Sequence, residues 1–208
     1  VKLIDISPPI DAAIRVWPGD TPFAHTVNLD IAAGSNITLS DIRTTVHVGA
    51  HADAPNHYVA GGEDIASRRL DFYIGRCSVV SVDVQRGERI MPRHLDGKVI
   101  DAPRVLFHTG TFPDPRNWND DFASLSPELV DALHARGVLL IGIDTPSVDP
   151  FRSKALEAHQ AFARHDMAIL EGVVLDGVAD GVYELIALPL RLVHADASPV
   201  RAVLRLES

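Results

Sequence analysis

The eleven residues from His47 to His57 read His-Val-Gly-Ala-His-Ala-Asp-Ala-Pro-Asn-His, with His47, His51, Asp53 and His57 all on odd positions. Alternate residues of an extended chain point to one face, so these four side chains can lean the same way. A helix cannot gather them, because Asp53, six residues after His47, would lie roughly 240° round the axis. A straight strand does not suffice either. It would hold the Cα atoms of His47 and His51 about 13 Å apart, a gap two imidazoles barely span at a metal–nitrogen distance of about 2 Å. The segment must therefore bend, and Gly49 is the residue able to allow it. Pro55 then biases Ala54 to extended backbone and sets the exit towards His57. Nitrogen and carboxylate donors converging from one short segment suit a divalent transition metal such as zinc, with manganese or cobalt as acceptable substitutes. The plainer alternative is a loop of unrelated surface histidines, and the shared register of four donors argues against it.

Composition bounds what surrounds this segment. A chain of 208 residues, 46% hydrophobic and 23% charged, fits one globular domain over 1–208 with a proper core. Its apolar runs, such as Val138–Ile143, are too short to cross a bilayer. Asp5, Pro8, Pro9 and Asp11 interrupt any early apolar segment, so no secretory signal is expected. A net charge of −9 with scattered Lys and Arg excludes a nucleic-acid surface. The single Cys77 lies in an apolar, β-like stretch and reads as a buried inert thiol. These features together predict a cytoplasmic protein without membrane or nucleic-acid partners.

Patterning predicts strands at Leu3–Ile6, Ile37–Val48, Ser78–Asp83, Val105–His108, Val138–Asp144, Val173–Leu175, Gly181–Ala187 and Ala202–Leu206. Two helices are predicted. Ser126–Arg136 opens with Ser126-Pro127-Glu128, an N-cap before a proline in the first turn, and stops at Gly137. Ser153–His165 opens at a serine and carries Leu156, His159, Phe162 and Ala163 on one face. Helices and strands do not alternate regularly, so the expected fold is α/β with a mixed, barrel-like sheet and a few outer helices.

Further donors must come from elsewhere in the chain. His159 lies on the apolar face of its helix, where a lone histidine is either a satisfied core residue or a ligand. Glu171 ends the apolar run Met167–Leu170, where a carboxylate is costly unless paired or bound to a cation. Trp17 precedes the turn-like Pro18-Gly19 and either anchors the N-terminal loop or presents its indole to a cavity. His108 ends an apolar strand and could approach the same pocket; Asp144 could do so too, or could serve a turn with Pro146. His25, His94, His134, His165 and His194 lack ligand spacing and read as surface or capping residues.

The segment Val46–Tyr58, together with Trp17-Pro18-Gly19-Asp20, the run Gly142–Asp149 and Leu170-Glu171-Gly172, resembles the cyclase-like metal hydrolases, and among them the bacterial kynurenine formamidases. The resemblance runs over essentially the whole chain; Ala50 stands where those proteins often carry Thr. It implies a swivelling β/β/α fold, a homodimer and a binuclear zinc site. It further implies that His47, His51 and Asp53 hold one zinc, that Asp53 also reaches a second, that His159 is on that second zinc, and that Glu171 bridges the two. By the same resemblance His57 is the catalytic acid/base, Trp17 contacts substrate, and the reaction is hydrolysis of N-formyl-L-kynurenine to L-kynurenine and formate. A cyclic-amide hydrolase of the isatin type would use nearly the same ligands, and a non-catalytic metal-binding protein would need a closed coordination sphere. No Gly-x-Ser-x-Gly elbow, phosphate loop or His-Glu-x-x-His helix competes.

Overall fold

A computed structural model describes residues 2–206. Nine strands form one mixed sheet, curled into half a barrel. Across it run Leu3–Asp5, Val203–Arg205, Gly181–Ile186, Ile74–Ser81, Arg104–His108, Leu140–Ile143, Ala168–Glu171, His51–Asp53 and Ala197–Pro199. The four strands from Ile74–Ser81 to Ala168–Glu171 pair in parallel, and the remaining pairs are antiparallel. Alternation along the central strands feeds two cores. Leu106, Leu140 and Leu170 face one, while Val105, Phe107, Ile141, Ile143 and Ile169 face the other. The second face is covered by two helices, Pro127–His134 and Glu157–His165, that also contact each other.

The first helix starts as predicted, with the Ser126 hydroxyl accepting from the Leu129 N–H at 3.1 Å. The second starts later than its predicted opening at Ser153. Leu156 adopts left-handed backbone at φ 48°, and regular helix begins at Glu157. Its buried face accordingly centres on Ala158, His159, Ala161 and Phe162 rather than on Leu156 and Ala163.

The predicted strand Ile37–Val48 shortens to Leu39–Arg43, because that segment pairs only with Ala24–Leu29 in a separate hairpin and then leaves it to turn. Val173–Leu175 is not a strand. Val174 donates one bond to the Ile6 carbonyl at 2.8 Å, and the segment then runs along a cavity wall. Pairing across the chain creates strands that local pattern did not mark: Ala24–Leu29, His51–Asp53, Ala168–Glu171 and Ala197–Pro199, with the short parallel pair Arg89–Ile90 and Ser124–Leu125. No described helix is long and apolar enough to cross a membrane.

Candidate metal centre

Strand register brings the first donors together. His51 lies opposite Glu171 and Asp53 opposite Ile169 in the antiparallel pair, so His51, Asp53 and Glu171 share the helix-bearing face. Ala50, Ala52 and Ala54, the intervening residues, point into the opposite core. Gly49 has φ 63°, the bend the spacing required, and its carbonyl lies 2.9 Å from His51 Nδ1. Gly172 also needs to be glycine: its φ is 67°, and a Cβ there would meet the Gly49 carbonyl oxygen at 2.4 Å. This close approach draws the Glu171 and His51 strands together.

The second helix lays His159 over the same face. Its Nε2 lies 3.4 Å from Asp53 Oδ2 and 3.8 Å from Glu171 Oε1. His51 Nε2 lies 3.2 Å from Glu171 Oε2 and 3.6 Å from Asp53 Oδ1. His47 Nδ1 lies 3.1 Å from Asp53 Oδ1. His57, on the short 3-10 turn Pro55–His57, packs tilted against His47, with ring centroids 4.4 Å apart and planes inclined at 46°. All six predicted donor and acid/base residues therefore meet at one place. Three constellations have the spacing to hold an ion: His47, His51 and Asp53; Asp53, His57 and His159; and His47, His57 and Asp196.

Supporting contacts fix the rings. Glu171 Oε1 accepts from the Val148 N–H at 2.7 Å. Asp149, with no exposed surface, accepts from the backbone N–H groups of Ala158 and His159, both at 3.0 Å, and its Oδ2 lies 2.8 Å from His159 Nδ1. Arg89 reaches the other Asp149 oxygen at 3.2 Å. With Nδ1 of His51 and His159 turned to backbone carbonyl and carboxylate respectively, each presents Nε2 to Asp53 and Glu171.

That arrangement fits a cation. A neutral imidazole donating through Nδ1 turns a lone pair from Nε2 onto carboxylate oxygens, which repels unless a proton or metal ion lies between. Asp53 Oδ1 is buried and, despite its 3.1 Å approach to His47, has no aligned hydrogen-bond donor. The electrostatics point the same way. Burial disfavours the His47 imidazolium, yet Asp53 and Asp196, with Glu171 beyond, outweigh it and push the pKa up to about 10. For His159, burial is likewise outweighed by Asp149, Asp53 and Glu171, again up to about 10. Burial would raise the Asp53 carboxyl, but His47 and His159 hold it well below the usual range. Without metal, protons supply the positive charge this cluster demands.

The cluster forms the base of a cavity of about 290 Å³, the lower end of the range for small-ligand sites. Trp17, Phe112 and Trp118 wall it, with Trp17 edge-on to Trp118 at 5.5 Å and tilted against Phe151 at 4.9 Å. Trp17 thus both anchors its loop and faces the cavity. Asp144 lines the cavity while accepting from the Thr109 and Gly110 N–H groups, both at 2.8 Å. His108 points instead to Asp176, 3.3 Å away.

Two carboxylates at the centre were not singled out from sequence. Asp196 Oδ2 lies 3.0 Å from His47 Nε2 and 3.3 Å from His57 Nδ1, binding two histidines to one oxygen. Asp149 belongs to a segment quoted for its resemblance, but only the helix start beyond it reveals its contact with His159. No local signal marks Asp196, which just precedes a three-residue strand paired to His51–Asp53.

Fold and site together define an α/β protein with a histidine–carboxylate metal centre at the base of an aromatic-walled cavity. The chain belongs to the Cyclase family, described as "Putative cyclase", which matches residues 4–150. Among solved structures it is similar to one described as a potential metal-dependent hydrolase with cyclase activity, at 25% identity over 100% of this chain and 99% of the other, with a TM-score of 0.84. A structure described as a predicted metal-dependent hydrolase from Bacillus stearothermophilus is 25% identical over 98% and 97% of the two chains, with a TM-score of 0.82. Isatin hydrolase A from Labrenzia aggregata, bound to benzyl benzoate, shares the fold at 18% identity over 99% and 94%, with a TM-score of 0.84.

Proposed function

We propose that this chain is a zinc-dependent arylformamidase that hydrolyses N-formyl-L-kynurenine to L-kynurenine and formate. The observation that carries the reading is the opening of the histidine–carboxylate cluster onto an aromatic-walled cavity. In this reading His47, His51 and Asp53 would hold one zinc, Asp53 and His159 would hold a second, and Glu171, beside both His51 and His159, would serve the two together. Zinc held there supplies Lewis acidity and lowers the pKa of water from ~15.7 towards about 7.

The chain's own groups do the rest. Trp17 and its aromatic neighbours hold the aryl ring, an interaction worth roughly 0.5–1.5 kcal/mol per pair beyond burial. His57 takes a proton from the attacking water and returns it to the departing arylamine nitrogen. The amide C–N bond breaks, the water oxygen stays on the formyl carbon, and formate leaves. Histidine suits both transfers because its ordinary pKa, about 6.5, lies near working pH. Asp196 orients His57 through Nδ1, leaving Nε2 as the working nitrogen. A homodimer belongs to the same proposal. What supports it is the hairpin of Ala24–Leu29 and Leu39–Arg43, exposed at every strand residue. A lone two-stranded hairpin is marginal in water, and a second copy covering Val27, Leu29 and Ile42 would stabilise it.

A second reading, hydrolysis of a cyclic amide such as isatin, is supported by the fold shared with isatin hydrolase A. Parallel assays of N-formylkynurenine and isatin on zinc-loaded protein decide between them. Formate release with negligible isatin opening supports the first; the reverse preference supports the second; activity on neither leaves the site as a binding centre and refutes both.

A further inference from the structure

Arg15 is the only Lys or Arg among the residues that line the cavity. It sits two residues before Trp17 on the same loop and is exposed, and its backbone is tied to Pro115, another residue that lines the cavity. Its backbone N–H donates to the Pro115 carbonyl at 2.8 Å, and its Nε donates to the Arg116 carbonyl at 3.3 Å. Those bonds hold the loop and leave the terminal guanidinium nitrogens free. The adjacent Arg116 is neutralised by Asp11 at 2.5 Å, whereas no described carboxylate lies within 4.0 Å of Arg15. This chain is not short of partners, with 28 acidic residues against 19 Lys and Arg. A cation left free at a cavity mouth, in a strongly acidic protein, is placed to receive an anion from outside.

We propose that Arg15 determines specificity by binding the carboxylate of the substrate. The substrate class is thereby narrowed to aryl amides that carry an anionic substituent at the end of the molecule remote from the scissile bond. The inference rests on the arylformamidase reading for its reaction, but its binding consequence can be read without turnover. A guanidinium meets a carboxylate through two parallel N–H bonds, which an isolated ammonium cannot reproduce. An amide without the carboxylate gains nothing from Arg15 and relies on the aromatic wall.

The test uses the zinc-loaded protein and its Arg15→Met and Arg15→Lys variants. Turnover is compared on N-formyl-L-kynurenine and on formanilide, which lacks the charge. Binding is compared for L-kynurenine and 2-aminoacetophenone, neither of which reacts, through quenching of Trp fluorescence. The ratio of kcat/KM between the charged and neutral substrates should fall about tenfold in Arg15→Met, mainly through KM. The Kd of L-kynurenine should rise by a similar factor relative to that of 2-aminoacetophenone. Arg15→Lys should recover part of both ratios. If Arg15→Met weakens charged and neutral ligands equally, Arg15 is only a loop anchor and the proposal is overturned. If the wild type hydrolyses neither formamide yet binds L-kynurenine in an Arg15-dependent way, the arylformamidase reading fails while the anion site stands.

Discussion

Replacing Asp149 with Asn keeps the side-chain volume and removes one acceptor oxygen and the charge. In the native protein both Asp149 oxygens are engaged: Oδ2 by the His159 N–H and His159 Nδ1, Oδ1 by the Ala158 N–H and Arg89. An amide must turn its NH2 towards one of these donor pairs, so two hydrogen bonds are lost in either orientation. At about 1.5 kcal/mol each, within a site that has no exposed surface, the cost is roughly 3 kcal/mol. For a chain of this size that lowers Tm by about 6–12 °C. The larger effect concerns metal. If His159 holds metal as proposed, loss of the carboxylate that orients it should weaken metal binding by about 10–100-fold. Chelator competition for zinc measures affinity, and melting of the metal-free protein measures stability separately. If Asp149→Asn binds zinc as tightly as the parent and melts within a degree or two of it, the assignment of Asp149 as the group that fixes His159 is refuted.

Further outcomes follow from the same geometry. His57→Ala should slow hydrolysis by about 10²–10⁴-fold with zinc content unchanged; if zinc is lost as well, His57 is a ligand rather than the acid/base. Gly172→Ala should destabilise the protein by about 1–3 kcal/mol, because its Cβ would lie 2.4 Å from the Gly49 carbonyl oxygen; an unchanged denaturation midpoint would contradict that contact. The pKa values of His47 and His159 rise from 6.5 to about 10 on folding without metal. The stability they contribute is therefore complete below about pH 6.5 and lost as pH climbs through about 10. Metal-free protein should melt progressively lower over that window, and zinc should bind more tightly as pH rises because it displaces those protons; a pH-independent zinc affinity would contradict this. Glu at both Val27 and Ile42, which share one face of the hairpin, should halve the mass seen by light scattering; a mass unchanged from a wild-type dimer would place the interface elsewhere.

Spacing made the local part of the site legible. The odd positions of His51 and Asp53 required extended backbone, and the reach between His47 and His51 required a bend at Gly49; both are present. A histidine on the apolar face of the second helix and a carboxylate after an apolar run were visible as anomalies, and the sheet brings them together. The partners of those anomalies were not visible, since they depend on register. Glu171 faces His51 only because Ala168–Glu171 pairs antiparallel with His51–Asp53, and nothing within either three- or four-residue strand specifies the other. Asp196 illustrates the limit most clearly. It lies 149 residues from His47 in a segment with no motif, and only the pairing of Ala197 with Asp53 delivers it. The overlong strand predicted through Val48 failed for a related reason: β-branched residues continue past Arg43, but the hairpin partner does not.

The central claim is tested most directly by titrating zinc into metal-free protein while recording formate released from N-formyl-L-kynurenine. Activity should be absent at the start, rise with added zinc, and saturate near two ions per chain. Full formate release from the metal-free protein, or zinc bound at the His47–Asp53 cluster without formate release from any aryl formamide, would contradict it.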